Sequence, residues 1–295
     1  HSSRDEVVAL VEQRVSGGRD GFRVQVPIRF RHTPEGWKDA DLPFIERKTS
    51  RIQIKVTHRQ LLPLASELLE KSEVVQQRLA ALYGWQPAFP VTLKLYGHPE
   101  WFRQSVKLSL PNWVGGWYEA GEAIKLWADA GDLQHPEAIR YYHSAIIHEM
   151  VHHMLADLTN DNAAYWLHEG LAEQLTALLD ARPENDALPW FDPAELWSWT
   201  ELAAVSLEQL PADLAEKYYL QARLVAAFLL DSYGDEALRA AFALLRHYPR
   251  MPESAADKQE VLHHRTVQAL EQALQKPFDA LNEEWQRWVE ITMGK

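Results

Sequence analysis

His148-Glu149-Met150-Val151-His152 sets two imidazoles four residues apart in an apolar stretch, with a carboxylate directly after the first. On a helix, residues four apart share a face, so both histidines can turn a ring nitrogen toward one tetrahedral metal ion. Zinc suits such a pentad. Glu149 then stands beside the ion, placed to take a proton from a zinc-bound water rather than to be a ligand itself. Several polar side chains in succession on an apolar helix would be costly to bury alone, and a dication binding both imidazoles offsets that cost. The chemistry these residues point to is zinc-dependent hydrolysis.

A catalytic zinc takes three protein ligands and keeps a fourth position for water. Three nearby residues are candidates for the third place. His153 points about 100 degrees around the helix from His152 and is poorly placed. His168 and Glu169 both lie in the downstream segment Trp166-Leu167-His168-Glu169-Gly170-Leu171-Ala172-Glu173. A metzincin needs a Gly and a third His soon after the pentad, and His153-Met154-Leu155-Ala156-Asp157-Leu158 supplies neither.

The two segments together resemble the gluzincin arrangement, in which HExxH is followed by a second helix carrying Glu-Gly. With 16 residues between His152 and Glu169, Trp166 to Ala172 is similar to the second motif of aminopeptidase N-like and peptidase MA-like gluzincins. The resemblance implies one zinc per chain held by His148, His152 and Glu169, with Glu149 as general base and a peptide or protein as substrate. Glu173 lies one turn beyond Glu169, where it can accept a hydrogen bond from a ligand imidazole and fix its tautomer; the alternative is a solvated carboxylate.

Tyr218-Tyr219-Leu220-Gln221-Ala222, continuing to Phe228 and Tyr233-Gly234, is similar to the peptidase MA-like pattern of a Tyr and a Gln-Ala pair before an apolar helix. By that alignment Tyr219 is the donor to the oxyanion and Tyr218 the runner-up, with ordinary packing as the alternative for both. Trp113-Val114-Gly115-Gly116-Trp117-Tyr118 resembles the strand bordering the cleft in this superfamily, which holds an extended peptide through its backbone; the alternative is a hairpin covering the sheet. The Gly-x-Met-Glu-Asn segment of aminopeptidase N-like enzymes is missing, so exopeptidase specificity is not implied. The resemblance covers residues 115–234 at motif level.

These side chains must be positioned by elements that the hydrophobic pattern outlines. Residues 4–15 read as a short helix. Phe22, Val24, Val26, Ile28 and Phe30 alternate with polar residues as in a half-buried strand, with Pro27 suggesting an edge. Ile52, Ile54 and Val56 repeat the alternation, and residues 31–50 between them read as an irregular connection or open hairpin. A long amphipathic helix follows over 59–82, a strand over 91–95, and an aromatic-rich strand or hairpin over 113–127. The pentad helix is placed at 136–158 and its partner at 163–179. Further helices are expected at 217–233, 235–248, 259–275 and 277–291. The Trp-rich remainder, Trp197, Trp199, Trp285 and Trp288, reads as core packing.

The fold class expected is α+β and zincin-like: residues 1–160 form a sheet-containing lobe with the pentad helix, and 161–295 a helical lobe carrying the third ligand. The peptide is expected between the two lobes. Of the 295 residues, 46% are apolar and 24% charged, values of a globular chain able to bury a core. A formal charge of -12 argues against a general phosphate-binding surface, and nucleic acid is not expected as a partner. The apolar run Leu224 to Leu230 is far short of the roughly 20 residues of a membrane helix. With no Cys, thiolate ligands, disulfides and a thiol nucleophile are excluded. His1-Ser2-Ser3 lacks an initiator Met, as expected of a tag remnant or of the end left by signal cleavage; with the resemblance, it points to an extracytoplasmic location. Two further readings keep the metal: a peptide-binding module with little turnover, and a zinc hydrolase of nonpeptide amides.

Overall fold

The computed structural model describes residues 5–15, 22–106, 110, 114–180, 192–205, 210–252 and 254–293. The chain divides into two compact units, one of His1–Glu70 with Phe89–Tyr142, the other of Lys71–Ala88 with His143–Lys295. The division falls inside two helices, α1 (Leu62–Tyr83) and α3 (Pro136–Thr159), each of which begins in the first unit and ends in the second.

The first unit carries two sheets. One is antiparallel, in the order β1 (Glu6–Val15), β2 (Phe22–Thr33), β3 (Gly36–Asp39). The other comprises β4 (Ile45–Lys48), β5 (Ile52–Val56), β6 (Val91–Tyr96), β7 (Gly116–Glu119) and β8 (Ala123–Trp127), ordered β4-β5-β6-β8-β7. Within it β5, β6 and β8 run parallel, while β4 and β7 pair antiparallel at the two edges.

The segment read as an N-terminal helix is instead strand β1, paired with β2 from Glu6 opposite Arg31 to Val15 opposite Phe22. The reason lies in its composition and its partner. Val7, Val8, Val11 and Val15 are β-branched and favour a pleated surface, and Ala9 and Val11 stand opposite Ile28 and Val26. Pro27 sits in the central strand rather than an edge, but β3 pairs only with Phe30–Thr33, so the proline lies beyond its reach. The connection over 31–50 contributes β3 and β4. The aromatic tract forms the β7–β8 hairpin; Trp113 lies outside the described residues.

Val24, Val26 and Ile28 face a core built with Leu42, Tyr96, Phe102 and Leu110. Phe102 comes from α2 (Pro99–Val106), a helix the hydrophobic pattern did not announce, tied to β2 by a hydrogen bond from Trp101 Nε1 to the Gln25 carbonyl at 2.9 Å. Two lysines are buried in this unit as cross-strand neighbours, Lys94 on β6 and Lys125 on β8. Lys94 donates to Asp41 and Glu122, both at 2.6 Å. Lys125 reaches the other oxygen of Glu122 at 2.7 Å and the Ser105 carbonyl at 2.7 Å. Burial raises the pKa of Glu122, but the hydrogen bonds and charges of Lys125 and Lys94 outweigh it, so the carboxyl is held below its ordinary value.

The second unit is helical among its described residues. The end of α1 is closed by Gly84, whose φ of 70° suits a residue without Cβ. After α3 come α4 (Tyr165–Asp180), α5 (Trp199–Ala204), α6 (Ala212–Leu245), α7 (Lys258–Leu274) and α8 (Phe278–Met293). The helices expected at 217–233 and 235–248 are the two parts of α6, broken at Gly234 by φ 75° and ψ 174°, values open mainly to glycine. Of the four tryptophans read as core packing, Trp199 and Trp285 are buried, with Trp199 edge to face with Trp166 and tilted against Trp285, whereas Trp197 and Trp288 are only half-buried. No helix among the described residues is long and apolar enough to cross a membrane.

Removing one partner of a buried charge cluster leaves the remaining charges short of compensation, typically at a cost of about 3–5 kcal/mol. Because Lys94 retains Asp41 and Lys125 retains the Ser105 carbonyl, Glu122→Ala is expected to cost less, about 2 kcal/mol, in urea unfolding at neutral pH. The lowered carboxyl pKa fixes the pH window. The contribution is complete above the ordinary value of 4.5 and is lost as pH falls through the lower folded value, so wild type and variant should converge in acid.

Candidate metal centre

The centre is assembled by α3, α4 and α6 within the second unit. On α3, Ile146, Ile147, Met150, Val151, Met154 and Leu155 are buried and fix the helix rotation. That rotation turns His148 and His152 to one face, with their Nε2 atoms 3.0 Å apart. The helix ends in a turn where Asn160 and Asp161 adopt left-handed φ values of 54° and 58°. Asn162 pins this turn by donating to the carbonyls of Thr159 at 3.2 Å and Tyr248 at 3.0 Å, and Ala164 N–H donates to Thr266 Oγ1 at 2.8 Å. So anchored, α4 brings Glu169 Oε2 to 3.4 Å from both His148 Nε2 and His152 Nε2.

Three lone-pair atoms therefore converge at separations of 3.0, 3.4 and 3.4 Å. Ligand atoms about 2.0–2.1 Å from a tetrahedral zinc stand about 3.3 Å from one another, so this set fits the ion without rearrangement. Glu169 Oε2 is buried and makes no hydrogen bond, although it lies at ion-pair distance from the two imidazoles. A buried anionic oxygen in that condition calls for a cation. Among the described residues, His148, His152 and Glu169 form the one group of three or more His, Cys, Asp or Glu side chains able to hold an ion.

The electrostatics agree with the geometry. Burial raises the pKa of Glu169, yet His152 and His148 outweigh it and hold the carboxyl far below its usual range. Burial lowers the pKa of His148, but Glu169 and Glu173 outweigh that and keep it well above the ordinary imidazole value. Glu173 Oε1 lies 3.1 Å from His148 Nδ1, on the opposite side of the ring from the converging Nε2. Glu149 is buried on α3 beside the pair.

The two other imidazoles weighed as ligands lie apart from the triangle. His153 faces away, 3.5 Å from Asp157 Oδ2 and edge-on to Trp85 with ring centres 5.2 Å apart. The ring of His168 is 5.7 Å from that of His152 and does not enter the metal-capable group. Burial, with His152 and Lys258 nearby, pushes its pKa down to about 3 and keeps it neutral.

Of the two tyrosines on α6, Tyr219 is in ring contact with His148, with centres 6.4 Å apart. Burial raises the pKa of its phenol, as do Glu169, Glu149 and Glu173, so the hydroxyl stays a donor. Tyr218 is buried in the packing. The approach of α6 depends on Gly170, because a Cβ there would overlap the Ala222 carbonyl and crowd Ala226. Glycine directly after Glu169 thus lets the α6 backbone come against α4, and Tyr219 is carried in with it.

One contact escaped the sequence reading. The buried Gln221 carboxamide donates to the Trp197 carbonyl at 2.6 Å and accepts from the Trp197 N–H at 3.0 Å, clamping that segment to α6 as a strand would. The signal was present as the Gln-Ala pair, but nothing local names its partner.

The model of the Peptidase MA superfamily matches residues 72–290, well over half of the chain, and the chain belongs to that superfamily. The fold is accordingly a zincin-like α+β arrangement, and the function peptidase-related. None of the curated proteins compared with the chain matches it.

Gly→Ala in a helix ordinarily stabilises by up to about 1 kcal/mol. Gly170→Ala should do the reverse, lowering the thermal midpoint by several degrees, because the added methyl forces α6 away from α4. A circular-dichroism melt of the two proteins checks this.

Proposed function

We propose that this chain is a zinc-dependent metallopeptidase of the gluzincin type, hydrolysing peptide bonds through an activated water. The observation that carries this reading is the triangle of His148 Nε2, His152 Nε2 and Glu169 Oε2, spaced as the ligand atoms of one tetrahedral ion are spaced. These three residues would hold the zinc. When bound, the ion supplies a Lewis acid that acidifies water and polarises the scissile carbonyl.

The remaining steps belong to the side chains. Glu149 follows the first ligand in sequence and takes the proton of the attacking water, then returns it to the leaving amine nitrogen. Tyr219 keeps its proton and donates a hydrogen bond to the oxygen that becomes negative as the carbonyl turns tetrahedral. Glu173 accepts from His148 Nδ1 and so holds Nε2 as the lone-pair nitrogen. The apolar packing around Met150, Val151 and Leu167 keeps bulk water from the buried side of the pair, which strengthens each of these interactions.

Elemental analysis of protein purified without added metal should find about one zinc per chain. Glu169→Ala should lose most of it, whereas Glu149→Gln should retain the metal while peptide hydrolysis falls to background. Undiminished turnover by Glu149→Gln would sink the mechanism. Tyr219→Phe removes only the hydroxyl, and its kcat on a cleaved peptide should drop about 100-fold with KM little changed.

A further inference from the structure

Arg223 has no part in the mechanism above, yet its placement is specific. It lies one turn after Tyr219 on α6 and is itself half-buried, between the buried Ala222 and Leu224. Taking a guanidinium from water is costly, and burial lowers its pKa accordingly. Its Nε donates to Gln174 Oε1 at 3.0 Å, and its charge interacts with that of Glu173, the residue before Gln174 on α4. Glu173 Oε1 is in turn 3.1 Å from His148 Nδ1. Two contacts, Arg223 with Gln174 and Glu173 with His148, thus meet on adjacent residues of the α4 face that crosses α6.

Glu173 needs such support. Its side chain is 37% exposed, so water competes for the carboxylate, and confining several rotatable bonds to one orientation costs entropy. A guanidinium is a planar fork, and once one of its nitrogens is fixed by Gln174 the direction of the rest is set. Close approach at Gly170 places Arg223 and Tyr219 on the same crossing, one on each side of Ala222.

We propose that Arg223 is a positioning residue for the metal centre: anchored by Gln174 and lying beside Glu173, it holds the Glu173 carboxylate on His148 Nδ1 and so keeps His148 Nε2 turned toward His152 and Glu169. The inference rests on the reading that His148 is a zinc ligand. It makes ligand orientation depend on the α4–α6 crossing as well as on α3.

The test is a double-mutant cycle read as zinc affinity, by chelator competition on the full chain, with Glu169→Ala as control. Arg223→Met should weaken zinc binding about 10-fold, and Arg223→Lys, which keeps the charge without the fork, should recover part of the loss. Glu173→Ala should weaken binding at least as much. The double variant Arg223→Met/Glu173→Ala should be no weaker than Glu173→Ala alone, since Arg223 acts through Glu173. Thermal melts of the metal-free proteins separate this from loss of folding. If Arg223→Met does not fold, the same cycle is run with Arg223→Lys.

Unchanged zinc affinity in the folded Arg223 variant, or losses that add in the double variant, would overturn the proposal. So would a raised KM for peptide with zinc affinity intact, which would make Arg223 a substrate contact. Failure of the wild type to bind zinc, or of Glu169→Ala to weaken binding, would instead refute the zinc-site reading on which the proposal rests.

Discussion

Two imidazole nitrogens and a carboxylate oxygen, held 3.0 to 3.4 Å apart and largely shielded from water, are a concentration of lone pairs that positive charge balances. The rest of the second unit is arranged around that demand. The apolar residues of α3 fix its rotation, the pinned turn at Asn160 to Asn162 fixes where α4 begins, and Glu169 arrives opposite the two histidines as a result. If α4 slipped along α3 by one residue, Glu169 would leave the triangle, and His168 or Gly170 would face the imidazoles instead.

The crossing of α4 and α6 is the second constraint, and it follows from a missing atom. Gly170 lets the Ala222 carbonyl approach where any side chain would stand. That one contact fixes the depth of α6, and with it the reach of Tyr219 toward His148 and of Arg223 toward Gln174. The glycine beside Glu169 therefore serves geometry two helices away from the histidines. Gln221, on the same helix, uses its carboxamide to hold the Trp197 backbone, so α6 also organises the segment that leads into α5.

The first unit follows a different logic. Its sheets are joined by apolar packing from β2 and α2, but two lysines are buried as neighbours on adjacent strands and balanced by Glu122 and Asp41. Glu122 sits in the short turn between β7 and β8, so the charge cluster ties the edge hairpin to the centre of the sheet. Lysines 94 and 125 look in the sequence like the solvent-facing members of alternating strands. They are buried because Asp41, far off in the chain, and Glu122, in the turn just before β8, balance their charge.

By itself the sequence determined the local facts. The four-residue spacing of His148 and His152 puts them on one helix face whatever surrounds them, and the alternation in residues 22–30 and 52–56 makes strands of those segments. Glu169 and Tyr219 were singled out through resemblance to a known pattern and Glu173 through its four-residue spacing from Glu169, since spacing alone left His168 open as a ligand. What tertiary structure decided is which faces meet. It made residues 6–15 a strand by pairing them with β2, introduced α2, moved Pro27 into a central strand beyond the reach of β3, and set Arg223 beside Gln174. Periodicity records which way a side chain points within its own element. It carries no information about the element that will lie opposite, and that pairing fixes burial, charge balance and the geometry of the candidate metal centre.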